Sequence, residues 1–275
     1  MGCKYRIVSI NYEIYLIAIE WFLWIAQLHQ GKYIVDLDAR SGIKGGLSIV
    51  KLIIDDVNIE KIKDVFSIFQ IDGVTSNPSI LHKYGKQPYE ILIKIREFIG
   101  ENSELHVQVI SESSEGMLKE AHKIIKELGK NTYVKIPVTR DGLKAIKILR
   151  KEEINVTATA IYTQMQAYLA GKAGAQYAAP YVNRIDNLGA NGVQVAKDIH
   201  DIFEKNNFKT EVLAASFKNS QQVLELCKYG IGAATISPDV IEGLIKNDCV
   251  DVAVENFKKD FEILCGQGNT MLNCR

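Results

Sequence analysis

From residue 50 to residue 237 the chain runs eight times through a short β-rich segment, and seven of these lead into a segment with apolar residues three and four apart before the next. The β-rich runs are "VKLII" (50–54), "GVT" (73–75), "LHVQV" (105–109), "TYVKIP" (132–137), "NVTATA" (155–160), "QYAAPY" (176–181), "EVLAAS" (211–216) and "AATIS" (233–237). Among the segments between them are "NIEKIKDVFSIF", "YEILIKIREFI", "EGMLKEAHKIIKEL", "GLKAIKILRKE" and "AKDIHDIFEKN", each with the spacing of an amphipathic helix. Strands separated by helices are joined by crossovers, which commits the sheet to parallel pairing. Eight such units close naturally into a (β/α)8 TIM barrel. A doubly wound open sheet is the alternative, but it usually offers fewer units and a glycine-rich nucleotide turn, and neither GxGxxG nor GxxxxGK[ST] occurs. Helix starts are signalled at Asn58, Ser114 and Pro238-Asp239. Beyond the eighth unit, "VDVAVENFKKDFEIL" reads as an additional C-terminal helix that packs outside the barrel or on a neighbour.

Residues 1–49 do not share this pattern and form an atypical N-terminal extension. "YEIYLIAIEWFLWIAQL" (12–28) is apolar but short for a membrane span and carries Glu13 and Glu20. Lys4 and Arg6 precede it, yet no small-residue cleavage site follows, so it does not read as a secretory signal. Three readings fit: a weak membrane or partner helix, an added packing helix, or residues upstream of the native start. The last is preferred because "SGIKGGLS" reads as a flexible junction and the regular pattern begins right after it, with Leu47 or Val50 as the start. Residues 50–275 then form a single domain, and the 275-residue chain is long enough to bury one barrel-sized core.

Charge and ligand residues narrow the function classes. Lys plus Arg and Asp plus Glu both number 33, so no overall field recruits nucleic acid or an acidic membrane, although a local anion site remains compatible. Cys3, Cys227, Cys249, Cys265 and Cys274 are scattered, odd in number and without a CxxC, which reads as reduced thiols of a cytoplasmic protein. The five histidines form no ligand-spaced pair, so neither a metal nor another cofactor is expected.

In a barrel of this kind chemistry belongs at the C-terminal strand ends. Polar residues gather there: Asp55-Asp56, Thr75-Ser76-Asn77, Gln108, Lys135 and Thr139, Thr157 and Thr159, Tyr181, Asn183 and Arg184, then Ser216 and Lys218. Each has a structural alternative: a cap, a turn residue, a β-former or a surface ion pair. Lys135 stands out because "TYVKIPVT" sets it between valine and isoleucine in an otherwise apolar strand.

A buried lysine among a carboxylate, an amide, hydroxyls and a phenol suits imine chemistry. Its amine must be neutral to attack a ketone, and burial disfavours the charged form. The iminium is an electron sink, so an adjacent carbon–carbon bond can break to leave an enamine. Asp55, Tyr181 or a water held by Gln108 and Thr159 would move protons, and Arg184, Ser216 and Lys218 would hold a substrate phosphate.

"GVTSNPSIL", "VKIPVTRDGLKAIK", "AGAQYAAPYVNRID" and "EVLAASFKNSQQV" resemble, in order, the small transaldolase family, and above all its fructose-6-phosphate aldolase branch. The likeness runs from about residue 50 to residue 264. It implies a class I aldolase barrel with the Schiff base on Lys135, hydroxyl contacts from Asp55 and Asn77, and water positioning by Gln108, Thr159 and Tyr181. It also implies phosphate contacts from Arg184, Ser216 and Lys218, and a ring-shaped homo-oligomer in which the C-terminal helix reaches a neighbour. Gln108 stands where the family's transaldolases usually carry glutamate, and Tyr181 where classical transaldolases usually carry phenylalanine. Both favour cleavage of fructose 6-phosphate to dihydroxyacetone and glyceraldehyde 3-phosphate over transfer of the three-carbon unit to erythrose 4-phosphate. Asp56 departs from the family, which usually has a small hydroxyl residue there; a second acid raises the pKa of Asp55 or faces away. A non-catalytic phosphosugar-binding or assembly protein on the same scaffold is the alternative of another class.

Overall fold

The computed structural model describes residues 49–85 and 87–274, so residues 1–48 of the N-terminal extension, with its preferred reading, lie outside the described residues. Eight parallel strands close into a barrel in sequence order: β1 Lys51–Asp55, β2 Gly73–Thr75, β3 Glu104–Gln108, β4 Thr132–Pro137, β5 Val156–Ile161, β6 Tyr177–Pro180, β7 Glu211–Ala214 and β8 Ala233–Ile236. The helices are α1 Ile59–Ile68, α2 Pro78–Tyr84, α3 Pro88–Ile99, α4 Ser114–Leu128, α5 Arg140–Lys151, α6 Gln164–Ala173, α7 Val182–Asp186, α8 Gly192–Lys205, α9 Ser220–Tyr229, α10 Pro238–Gly243 and α11 Asp248–Cys265. No helix of the described residues is long and apolar enough to cross a membrane.

Local sequence explains where the helices start. Asn58 accepts from the N–H groups of Glu60 and Lys61, Ser113 rather than Ser114 caps α4, and Pro238 opens α10. Helix α4 buries Met117, Ala121, Ile124 and Leu128, one stripe against the sheet. Full burial of each large apolar member is worth about 1.5–3 kcal/mol relative to exposure, as an upper bound. In α5 the first turn includes Gly142, where a Cβ would lie 1.9 Å from the Pro137 carbonyl oxygen. Only glycine lets α5 press this closely on the end of β4, the strand that carries Lys135.

Alternation along the strands splits the core in two. Outward-facing residues such as Ile54, Val74, Leu105, Val107, Val134 and Ile136 meet the helices. Inward-facing Ile53, Tyr177, Ala179, Leu213 and Ala233 fill the barrel, with Tyr133 packed on them.

The floor of the barrel is polar. Glu104 Oε1 accepts from Lys51 Nζ at 2.7 Å and from the Tyr177 hydroxyl at 3.0 Å, while Oε2 lies 3.2 Å from His106 Nε2. His106 is fully buried, stacks on Tyr133 at 4.6 Å between ring centroids, and has Nδ1 2.9 Å from Thr157 Oγ1. Burial opposes ionisation of Glu104, but hydrogen bonds from His106 and Lys51 prevail and hold its pKa at about 2. Burial lowers the His106 pKa against the pull of Glu104, so the ring is neutral. Nε2 then carries the proton for Glu104, and Nδ1 accepts from Thr157.

At the C-terminus one expectation changes. Helix α11 forms, but it buries none of its residues, and Val250, Phe257, Ile263 and Leu264 are exposed. Cys265 and Cys274 are joined as a disulfide, contrary to the expectation of reduced thiols throughout. Gly266, at φ +92°, ends α11 and turns the chain back, which sets the two Cα atoms 5.9 Å apart, within the range a disulfide spans. Cys227 and Cys249 are free.

Candidate active site

A cavity of about 440 Å³ opens among the C-terminal strand ends. Its lining includes Asp55, Asp56, Asn77, Lys135, Tyr181, Arg184 and Ser216. Lys135 enters from β4 with 6% of its surface exposed, and its Nζ donates to the Ser76 carbonyl oxygen at 2.8 Å. Burial lowers its pKa; Asp55 works against that shift and Arg184 reinforces it. A neutral acceptor in place of a carboxylate leaves the amine free to be uncharged.

Asp55 ends β1, directly beside Thr75 of β2 in the ladder register. Burial pushes the Asp55 carboxyl up, opposed by Lys135 and by a 2.7 Å hydrogen bond from Thr75 Oγ1, and Asp56 adds a smaller push in the same direction as burial. Asp56 lines the cavity as well, while its Oδ1 accepts from the N–H groups of Val57 at 2.6 Å and Asn58 at 2.8 Å. This second acid therefore does not face away: it raises the pKa of Asp55 while it supports the β1–α1 turn. Asn77 lines the cavity while capping α2, its Oδ1 accepting from Ile80 N–H at 2.9 Å.

The opposite wall comes from β5, β6 and β7. Thr159 Oγ1 and the Tyr181 hydroxyl are 2.9 Å apart, and the Arg184 guanidinium sits 4.6 Å above the Tyr181 ring centroid. Two backbone irregularities shape this wall. Ala160 has φ +57° where the β5–β6 register shifts, the mark of a bulge. Ser216 has φ +62°, a left-handed conformation costing about 1 kcal/mol or more for a side-chain-bearing residue. It is held by Asn183 N–H, which donates to the Ser216 carbonyl at 2.8 Å.

Not every predicted residue faces this cavity. Gln108 is paired in register with Lys135 on the inward side of β3, and it also borders a second, mostly apolar cleft with Leu81, Tyr89, Leu92 and Ile110. Lys218 follows Ser216 by two positions and is absent from the cavity lining; its backbone N–H donates to Gln222 Oε1 at 2.7 Å. Thr139 caps α5 and Thr157 serves His106, so both have structural roles. Conversely, Lys61, Lys83, Tyr84 and Thr235 line the cavity, as does Asp239, which the sequence offers only as part of a helix start. Thr235 was legible only as one more β-former in "AATIS"; its alternation with Ala234 and Ile236 was the available signal.

A buried amine whose pKa is lowered by burial, a carboxyl shifted toward its acid form, a phenol and a guanidinium around one cavity form a set able to make an imine, move protons and hold an anion. Comparison with known proteins agrees. The family described as Transaldolase/Fructose-6-phosphate aldolase matches residues 52–271. A protein of Streptococcus pneumoniae named probable fructose-6-phosphate aldolase is 41% identical over 216 residues, covering 78% of this chain and 97% of that protein. A probable transaldolase of Thermodesulfovibrio yellowstonii is 40% identical over 215 residues, 78% of this chain and 99% of that protein. A probable transaldolase of Methanococcus vannielii is 38% identical over 213 residues, again 78% of this chain and 98% of the relative. With a (β/α)8 barrel, a lysine at the cavity base and matches across its whole barrel, the chain belongs to the transaldolase/fructose-6-phosphate aldolase family.

Proposed function

We propose that this protein is a class I aldolase that cleaves fructose 6-phosphate to dihydroxyacetone and glyceraldehyde 3-phosphate through a Schiff base on Lys135. The observation that carries the reading is Lys135 itself, buried at the cavity base and kept toward its neutral form by burial. Neutral Nζ attacks carbon 2 of the ketose, and loss of water gives the iminium. A base takes the proton of the carbon 4 hydroxyl, the carbon 3–carbon 4 bond breaks, and its electron pair moves into the iminium to form the enamine. Glyceraldehyde 3-phosphate leaves. Protonation of the enamine at carbon 3 and hydrolysis of the new iminium release dihydroxyacetone and restore the amine. The Tyr181 hydroxyl, next to Thr159, and Asp55 are the acid–base groups of the reading, Asn77 contacts substrate hydroxyls, and Arg184 with Ser216 binds the phosphate.

Transfer of the three-carbon unit to erythrose 4-phosphate is the second reading, favoured by the relatives named probable transaldolase. Release of glyceraldehyde 3-phosphate from fructose 6-phosphate, with no acceptor aldehyde, decides between them. Sustained release over many turnovers identifies an aldolase. A burst of about one equivalent per site, revived by erythrose 4-phosphate, identifies a transaldolase. Failure of dihydroxyacetone and borohydride to add mass at Lys135 would sink both, leaving a phosphosugar-binding protein. A homo-oligomer joined through α11 belongs to the same reading, because that helix leaves large apolar side chains uncovered; a monomer in light scattering would refute it.

A further inference from the structure

Asp55 is flanked by hydroxyls from both neighbouring strands. Its Oδ1 accepts from Thr75 Oγ1 of β2 at 2.7 Å, and Thr75 Oγ1 lies 2.5 Å from Thr235 Oγ1 of β8. Thr75 is fully buried and Thr235 is 3% exposed. Register explains the meeting: β1 lies between β2 and β8, with Asp55 beside Thr75 and Ile53 beside Thr235.

The direction of this string follows from proton counting. Thr75 has one hydroxyl proton, and giving it to Oδ1 leaves its oxygen as an acceptor, so Thr235 must supply the next proton. A string Thr235→Thr75→Asp55 results, each donor polarising the one after it. The string occupies Oδ1 alone and leaves Oδ2 for the cavity that Asp55 lines. Two buried hydroxyls are not needed to build the strands, since valine has the same shape and better suits an apolar barrel wall.

We propose that Thr235 is a positioning residue for the reaction, acting through Thr75 to fix the Asp55 carboxyl with Oδ1 anchored and Oδ2 turned to exchange a proton with substrate. The proposal rests on the acid–base role given to Asp55 above. The hydrogen-bond string opposes the upward push of burial on the Asp55 acid, so removing its outer donor must move that titration to still higher pH.

Thr235→Val removes the outer hydroxyl at nearly constant shape, and Thr235→Ser keeps it. The infrared carboxyl band that Asp55→Asn deletes reads the Asp55 titration without any need for catalysis. The expected result is a titration displaced to higher pH in Thr235→Val and restored in Thr235→Ser. Kinetically, kcat for fructose 6-phosphate falls about tenfold in the valine variant, the size of one weakened hydrogen bond to a charged group, with KM little changed and the acid limb of the pH profile moved up. A band and a pH profile that stay put in Thr235→Val overturn the proposal, as does a serine variant that behaves like the valine one. Thr235→Ala supplies the same comparison if the valine variant does not fold. Borohydride trapping on the wild type separates the two layers of inference: no adduct at Lys135 defeats the imine reading, while the infrared titration still judges the link between Thr235 and Asp55.

Discussion

Replacing Glu104 by glutamine tests the charged floor of the barrel. The side chain keeps its shape and one acceptor oxygen, but loses the charge that Lys51 Nζ meets at 2.7 Å and His106 at 3.2 Å. The folded pKa of Glu104 is held at about 2 against an ordinary 4.5. Above 4.5 the carboxylate is ionised whether the chain is folded or not, and its full contribution is present. As pH falls below 4.5 the unfolded chain takes up the proton first, and the contribution drains away toward about 2. The gap between 4.5 and about 2, at about 1.4 kcal/mol per pH unit, corresponds to about 3 kcal/mol. Lys51 has 39% of its side chain exposed, so solvent screening reduces the figure to about 2 kcal/mol. His106 adds an acid penalty of its own, because the unfolded chain protonates its ring below about 6.5 while burial lowers the pKa of the folded ring. The diagnostic is therefore the difference between wild type and Glu104→Gln in urea unfolding from about pH 7 to about pH 2.5. The variant should be about 2 kcal/mol less stable at neutral pH, with the gap closing below about 4.5. A gap that is the same at every pH refutes the reasoning.

Other perturbations read the cavity. Lys135→Met should abolish turnover and borohydride trapping while raising the urea midpoint, since an amine penalised by burial is replaced by an apolar chain of similar length, a gain of about 1 kcal/mol. A clear loss of stability would mean that the amine is charged and paired with Asp55. Tyr181→Phe retains the ring beneath Arg184 but removes the hydroxyl beside Thr159; kcat should fall about a hundredfold with little change in KM, and an unchanged kcat would remove Tyr181 from the acid–base set. Arg184→Ala should raise KM for fructose 6-phosphate about tenfold or more, whereas Lys218→Ala should change it less than about threefold, because only Arg184 lines the cavity. Equal effects in steady-state kinetics would return Lys218 to the phosphate site.

The strands were legible because β-branched runs recur between helical spacings, and all eight lie within two residues of their expected ends. The shortfalls fall at the site. The expected strands 176–181 and 211–216 end at Pro180 and Ala214, because Tyr181 and Ala215 meet only as an isolated bridge and Ser216 turns left-handed. Nothing in "AASFK" announces a serine with positive φ; the hydrogen bond from Asn183 that holds it comes from α7. The polar floor was readable in part, since Glu104, His106 and Gln108 alternate with Leu105, Val107 and Val109. Starting the strand at Leu105 hid Glu104, and no local rule joins it to Lys51 and Tyr177, which lie 53 and 73 residues away. Gln108 shows the opposite limit: its place beside Lys135 follows from the strands, but its lining of the outer cleft depends on how α2, α3 and α4 pack. The Cys265–Cys274 pair depends on the turn after Gly266, which brings together two residues that match no cysteine motif.

Two lysines of the strands, Lys51 and Lys135, point into the barrel, and their surroundings separate a structural amine from a reactive one. Lys51 meets a carboxylate at 2.7 Å and a phenol at 2.8 Å, so its charge is held by an anion. Lys135 meets the Ser76 carbonyl at 2.8 Å, and the nearby Asp55 is itself pushed toward its acid form by burial. A carbonyl oxygen accepts equally from an amine or an ammonium, so it orients Nζ without demanding a proton. The neutral ring of His106 completes the separation: a charged imidazolium there would couple the floor to Lys135 by repulsion, but burial keeps it uncharged. Formaldehyde with borohydride condenses only with neutral amines, so brief treatment at neutral pH should methylate Lys135 well ahead of Lys51, as read by peptide mass mapping. Equal modification of the two would mean that the pairing of Lys51 with Glu104 does not protect it, and that burial at the cavity base does not by itself make Lys135 a nucleophile.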